Sequence, residues 1–242
     1  FAYPAWVEGA KVGMDNMKKY MNESEAINLK YASKFASTAN YWKNRQGMID
    51  ALTKFGTAKS KAAQEKKFNK WANQSANKAK YGTVISDINK FYALTNEKAR
   101  HDNYMQQLLR TTSFATVSRS LGRYMDAYVK GDAAKRAQMA PAIEEMATEL
   151  FNEVHIPAEK AIMAAQLHTY ATKATGYAIA PMVKKIGDEN KNDFSKYINA
   201  AFDLSIFTSL DRVKAFLNIP SQAMLENDPL YALSTDLMTH YF

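Results

Sequence analysis

Residues 31–47 read YASKFASTANYWKNRQG and lie inside a long helical pattern. Apolar positions recur along this pattern at helical spacing, with polar residues between them. These positions are Ile27, Tyr31, Phe35, Ala39, Trp42, Ile49 and Leu52. Asn22 and Glu25 have the form of a capping box at its start, the stripe runs to Phe55, and Gly56 supplies a stop. About thirty-four residues at about 1.5 Å each predict a rod roughly 50 Å long, which we expect to pair with its neighbours as a helical hairpin or a coiled coil.

The same stretch places Asn40 and Asn44 on either side of Trp42, in the middle of the predicted helix. Helix interiors disfavour Asn because its side-chain amide competes for backbone hydrogen bonds. Two Asn residues beside a Trp therefore predict a hydrogen-bond partner that offsets this unfavourable effect. That partner is either a ligand or a buried backbone group.

The rest of the chain repeats the helical periodicity, and no segment alternates convincingly with the period of two that marks a strand. One helix is predicted from Thr57 to Lys80, and another opens at Val84 and continues through Leu108. We predict an all-α protein, an elongated multi-helix bundle of roughly nine or ten helices with a long helical hairpin. Residues 1–242 are predicted to form a single helical domain, with a candidate sub-lobe boundary near Gly131.

Composition restricts the classes of function. The chain has 242 residues and no cysteine, so disulfides, thiolate zinc sites and a cysteine nucleophile are excluded. It contains no run of about 18 apolar residues, and we expect no membrane partner. The chain begins with Phe instead of Met, which predicts a processed chain or a piece of a longer polypeptide.

The formal net charge of +8 is concentrated between Lys43 and Lys80, where ten Lys or Arg face two acidic residues. Such a segment is either a solvated outer face or a binding surface for nucleic acid or a protein partner. The rings that could stack on bases, those of Trp42, Phe68 and Trp71, are predicted to face the core. A free-standing basic module that binds nucleic acid or a partner protein is therefore the alternative hypothesis.

The chain lacks the patterns of common catalytic and metal sites. A serine nucleophile needs a His within reach and a carboxylate beside that His. No GxSxG motif occurs, and His101 and Asp102 should point about 100° apart on a helix and not pair. An acidic group near residue 150 lacks the Glu-x-x-His spacing of ferritin-like sites, so we predict a solvated acidic face. Its members are Glu144, Glu145, Glu149, Glu153, His155 and Glu159. We predict no catalytic residue, no metal ligand and no cofactor in this chain.

Three segments resemble one known family. YASKFASTANYWKNRQGMIDAL (residues 31–52) closely resembles a stretch of the bacterial dipeptidyl aminopeptidases of serine peptidase family forty-six, and VEGAKVGMDNMKKYM (7–21) and EVHIPAEKAIMAAQLHTYA (153–171) are similar to the same region. The resemblance implies a helical domain inserted into a chymotrypsin-like double β-barrel enzyme. The catalytic His and Asp of the parent would then precede Phe1 and its Ser would follow Phe242, with hinges near both residues and no activity in this chain alone.

The resemblance also implies a binding role. In that family the helical domain covers the active-site cleft and contributes an Asn that holds the free α-amino group of the substrate, so that dipeptides are released. By the ANYWKN motif, the resemblance assigns this role to Asn40. Asn44, one helical turn further along the same face, is the second candidate. A helix-to-helix hydrogen bond is the structural alternative for Asn40, and Tyr41 and Trp42 are expected to fix the helix by packing.

The implied partners are a peptide substrate and the catalytic β-barrel domain of the same parent chain, with a homodimer of the parent as a further candidate. The implied location is the periplasm or the cell surface. The preference for the residue before the cleaved bond, acidic or large and apolar, would be set near the nucleophile and not by this chain.

Overall fold

The computed structural model describes residues 3–174 and 176–241, without the side chains of residues 115 and 116. Within these ranges the chain forms thirteen α-helices and one short 3-10 helix, Ile206–Thr208, and no strand. The α-helices are α1 (Tyr3–Met21), α2 (Glu25–Lys54), α3 (Thr57–Ala72), α4 (Ser75–Tyr81), α5 (Val84–Thr111), α6 (Phe114–Val129), α7 (Ala133–Glu153), α8 (Ile156–Lys173), α9 (Pro181–Asn190), α10 (Ser195–Leu204), α11 (Leu210–Asn218), α12 (Gln222–Glu226) and α13 (Pro229–Tyr241). The all-α prediction is confirmed. The hinges expected near Phe1 and Phe242 lie outside the described residues.

The described helices outnumber the nine or ten that were predicted, partly because one predicted helix is two. The segment from Thr57 to Lys80 breaks after Ala72 without a Gly or a Pro. The side-chain amide of Asn73 donates to the carbonyl oxygen of Asn69 at 2.9 Å, and that of Asn77 donates to the carbonyl oxygen of Trp71 at 3.2 Å. Each of these carbonyl groups also accepts a backbone N–H, from Asn73 and Gln74 respectively, so the Asn side chains add second hydrogen bonds where α3 ends.

The long helix α2 spans 30 residues, or about 45 Å. It begins at Glu25 and not at the predicted Asn22, because Ser24 is the N-cap and its Oγ accepts a hydrogen bond from the backbone N–H of Ile27 at 3.2 Å. It ends at Lys54, and Gly56 follows in a left-handed conformation with φ of 59°. Helix α1 lies along α2 over most of its length, and the two form the predicted helical hairpin.

Helix α1 is held between α2, α5 and α8 by close backbone approach. A Cβ atom added to Gly13 would lie 2.9 Å from Cγ2 of Thr111 on α5 and 3.1 Å from Nε2 of Gln166 on α8. The same Gln166 nitrogen donates to the carbonyl oxygen of Gly9 at 2.9 Å. Small residues on α1 therefore allow three helices to meet.

The main core lies in the second half of the chain and in the last turns of α5. Its fully buried large side chains include Leu121, Tyr170, Phe194, Phe207 and Phe216. Gly131, with φ of 69°, forms the turn between α6 and α7, which pack against each other. The sub-lobe boundary near Gly131 stays a prediction.

Residues 50–100 contrast with this core. In this stretch Ala72 alone is buried. Helices α3 and α4 and the first half of α5 therefore extend from the body of the protein as a largely solvent-exposed arm. None of the described helices is both long enough and apolar enough to cross a lipid bilayer.

Candidate substrate-facing side of the long helix

Asn40 and Asn44 lie on the solvent-exposed side of α2, one helical turn apart. At about 100° per residue, Asn40 is displaced by about 160° from Trp42, whose half-buried ring packs against α1. Within residues 3–174 and 176–241, neither Asn side chain has a hydrogen-bond partner. The helix-to-helix hydrogen bond considered for Asn40 is therefore not found there. Both amides face away from the body of the protein.

The two Asn side chains occupy the centre of an exposed stripe without charge. Eight positions spaced by three or four residues follow one side of α2 and its C-cap, all of them exposed and none of them acidic or basic. They are Leu29, Ser33, Ser37, Asn40, Asn44, Met48, Ala51 and Phe55. Leu29 and Phe55, at its two ends, are 70% and 76% exposed. An exposed helix face without charge, in a chain of net charge +8, is typical of a surface that another molecule or domain covers.

The opposite side of α2 holds the helix in place. Trp42 and Ile49 pack against a small cluster of buried residues on α1 that includes Trp6. The Arg45 guanidinium lies over the Trp6 ring, 5.1 Å from its centroid. Trp42 thus packs as expected, whereas Tyr41 does not: its side chain is 57% exposed, because one residue along the helix turns it by about 100° away from the packed side.

A buried pair fixes the first half of α2 to α8. Tyr31 is 1% exposed, and its hydroxyl donates to Oε1 of Glu159 at 2.8 Å. The same hydroxyl accepts from the backbone N–H of His155 at 3.1 Å. Burial, followed by the charge of Glu159, raises the pKa of Tyr31 above its usual value. Glu159 is itself only 1% exposed, so the prediction that it belongs to a solvated acidic face is wrong for this residue.

His101 and Asp102 do pair, contrary to the prediction. His101 Nδ1 lies 3.1 Å from Oδ1 of Asp102, because the ring and the carboxylate turn toward each other from adjacent positions. His101 Nε2 lies 2.8 Å from the hydroxyl of Tyr170. Both ring nitrogens are thus occupied by partners other than a serine, and burial lowers the pKa of His101. In the part of the chain that is described, no three metal-ligating side chains are close enough to hold an ion.

The basic segment lies mostly on the exposed arm. The aromatic rings of Phe68, Trp71 and Tyr81 pack against one another there in tilted arrangements, with centroid distances of 5.6 Å between the first two rings and 5.2 Å between the last two. Trp71 remains 44% exposed. The prediction that this ring faces the core is therefore wrong, because the arm is too thin to enclose it.

The chain as a whole is similar to proteins of one peptidase family. A family model described as Peptidase S46 matches residues 1–242. The chain belongs to peptidase family S46. This confirms the resemblance that the segments around residues 31–52 indicated.

The S46 chain is 39% identical over 245 residues to Dipeptidyl-peptidase 7 of Capnocytophaga gingivalis, with 100% of this chain and 34% of that protein covered. It is 23% identical over 243 residues to the Asp/Glu-specific dipeptidyl-peptidase of Flavobacterium psychrophilum, with 98% and 33% covered. The crystal structure of Porphyromonas endodontalis DPP11 in complex with the dipeptide Arg-Glu has the same fold, with a TM-score of 0.78 at 21% identity and with 100% and 34% covered. The S46 chain thus spans about a third of the length of these relatives.

Proposed function

We propose that this chain is the non-catalytic helical domain of a serine-type S46 dipeptidyl-peptidase and that it covers the active-site cleft of the parent enzyme. The observation that carries the proposal is the uncharged, exposed stripe of α2 with Asn40 and Asn44 at its centre. The relatives are named dipeptidyl-peptidases and are about three times as long as this chain. The stripe would face the catalytic domain of the parent, which is the covering partner that its lack of charge favours.

In this role Asn40 binds the free amino terminus of the peptide substrate. An ammonium group has three donors and no acceptor, so it needs oxygen atoms around it. The side-chain oxygen of Asn40 supplies one of them without adding a charge, and the compensating carboxylate would come from the catalytic domain. Asn44 is the second candidate, because it lies one turn further along the same stripe. Holding the amine at a fixed distance from the nucleophile would make the enzyme release dipeptides.

The test is kinetic and uses the full-length enzyme. A hydrogen bond to a charged group contributes about 1.5 to 3 kcal/mol, so we expect Asn40→Ala to lower kcat/KM on dipeptidyl substrates by roughly ten- to a hundredfold. Asn28→Ala is the matched control, since Asn28 is an exposed Asn of the same helix but lies off the stripe. Unchanged kinetics for Asn40→Ala would remove that residue from the site, and the same result for Asn44→Ala would remove both.

The architecture is tested by the coding sequence on either side of this chain. The proposal requires β-rich flanks, with a His and an Asp upstream and a Ser downstream. We also propose an exported enzyme, at the periplasm or the cell surface, and cell fractionation tests this location. A parent that remains in the cytoplasm would contradict it.

The alternative is a basic module that binds nucleic acid or a partner protein through Lys43–Lys80. The exposed arm and the half-exposed ring of Trp71 favour it. Family membership favours the peptidase domain instead, because the matched relatives are named as peptidases. A salt-dependent gel shift with the purified protein would support the alternative.

A further inference from the structure

A cleft of about 210 Å³ opens between α1, α2 and α5, beside the uncharged stripe of α2. Its walls include Trp6, Lys34, Ser37, Tyr41, Gln107 and Arg110. Ser37 belongs to the stripe as well, so the cleft borders the surface that contains Asn40. The Tyr41 ring, which is exposed instead of packed, forms part of this border.

The cleft is positively charged. Lys34 and Arg110 both line it, and none of its described lining residues is acidic. The Lys34 ammonium donates to the carbonyl oxygen of Thr111 and to Oγ of Ser113, each at 3.1 Å. One of its three donors is therefore left for a ligand. Lys34 also binds one of the carbonyl groups at the C-terminal end of α5, which would otherwise repel an anion.

Arg110 has no hydrogen bond or ion pair to any residue in the described ranges 3–174 and 176–241. The acidic residues of α1 do not neutralise it, because each has another partner. Glu8 accepts from the hydroxyl of Tyr104 and forms an ion pair with Lys173 at 3.4 Å. Asp15 forms an ion pair with Lys11 at 2.6 Å. The Arg110 guanidinium is thus available to an acceptor from outside.

A buried amide adds a third donor group to the cleft. Gln107 is 2% exposed, and its side-chain nitrogen has no partner among the described residues. A buried donor without an acceptor costs free energy, and a ligand oxygen would recover that cost where the side chain turns its amide into the cleft. The cleft therefore combines cations and N–H donors with the apolar surfaces of Trp6 and Tyr41. This combination suits a carboxylate on a short aliphatic stem.

We propose that this cleft binds the side-chain carboxylate of an acidic residue in a peptide, with Arg110 as the main charged contact and Lys34 as the second. The choice of a peptide as the ligand rests on the proposed function. The carboxylate site itself does not, because it is separate from the amine site at Asn40. The planar guanidinium offers a bidentate contact that fixes the orientation of the carboxylate.

The test is a binding titration that follows the side-chain amide resonance of Gln107 and the indole N–H resonance of Trp6 by two-dimensional NMR. The probes are acetyl-Gly-Glu-amide and acetyl-Gly-Gln-amide, which differ only in a carboxylate. Both probes have a blocked amino terminus, so their binding does not depend on Asn40. We expect saturable shifts with the Glu probe, at least about tenfold weaker binding of the Gln probe, and weaker binding of the Glu probe as salt is added.

Arg110→Gln should weaken binding of the Glu probe by about tenfold. Arg100→Gln is the matched control, since Arg100 is an exposed arginine of the same helix that lies near Glu97, at 3.8 Å. Equal affinity for the two probes, equal loss in both variants, or no saturable shift up to the solubility limit of the Glu probe would each overturn the proposal. Asn40→Ala in the full-length enzyme reports on the amine site alone, so the two proposals can fail separately.

Discussion

Removal of one hydroxyl from Tyr31 should weaken the attachment of α2 to the body of the protein more than any exposed substitution on the same helix. The Tyr31 hydroxyl has one proton, which it donates to Glu159 at 2.8 Å, and it accepts from the backbone N–H of His155 at 3.1 Å. Tyr31→Phe deletes both hydrogen bonds and leaves a buried carboxylate with its remaining contact, the backbone N–H of Ser113 at 3.4 Å.

The magnitude follows from these contacts. A hydrogen bond to a charged group contributes about 1.5 to 3 kcal/mol and a neutral one about 0.5 to 1.5 kcal/mol, so we expect a loss of about 3 kcal/mol in the free energy of unfolding. For a chain of this length, this corresponds to a fall in Tm of roughly 6 to 12 °C. Calorimetry and urea unfolding at neutral pH measure both quantities.

Tyr41→Phe is the control for this prediction, because Tyr41 lies on the same helix and its side chain is 57% exposed. We expect a change within about 0.5 kcal/mol for this variant. A loss of less than about 1 kcal/mol for Tyr31→Phe, or an equal loss for both variants, would refute the assignment of Tyr31 as a buried anchor.

Two further predictions concern stability. Gly13→Ala places a Cβ atom 2.9 Å from Cγ2 of Thr111, and we expect this variant to lower the free energy of unfolding by about 1 to 3 kcal/mol. In Gly47→Ala the added Cβ atom meets no atom within 4 Å, so this variant should stabilise α2 by roughly 0.8 to 1 kcal/mol. Thermal unfolding should therefore show Tm shifts of opposite sign for the two variants. Burial raises the pKa of Tyr31 in the folded protein above the value of about 10 that it has in the unfolded chain. The contribution of Tyr31 to the free energy of unfolding is therefore fully present below about pH 10 and is progressively lost as the pH rises above that value. Unfolding free energies measured between pH 9 and 11 should fall by up to about 1.4 kcal/mol per pH unit more steeply in the unsubstituted protein than in Tyr31→Phe, and equal slopes would contradict this.

The fold class and the long helix could be predicted because both depend on local periodicity. The apolar positions from Ile27 to Ile49 identified the packed side of α2, and the left-handed Gly56 its end. The break after Ala72 could not be predicted, because neither Gly nor Pro marks it in the sequence. The number of helices was therefore underestimated at a boundary where no residue has a strong backbone preference against a helix.

The candidate site was predicted in part. Helical spacing placed Asn40 and Asn44 on one face, and the structure adds that this face is exposed and uncharged from Leu29 to Phe55. The cleft beside it could not be predicted, because Lys34 and Arg110 come from helices that are distant in the sequence. The pairing of Tyr31 with Glu159 was missed for the same reason, since 128 residues separate them.

The packed side of α2 and the side proposed to face the substrate lie on opposite sides of the helix axis. The residues that hold it to the protein, among them Tyr31 and Trp42, lie on one side, and Asn40 lies about 160° from Trp42. An Asn whose side-chain amide formed hydrogen bonds with α1 would stabilise the fold but could not reach a ligand. Asn40 is unpartnered within the described residues, and an exposed amide costs little because water can satisfy it. The proposed contact of Asn40 with a substrate would therefore cost the fold little stability, provided that the opposite side of α2 remains packed.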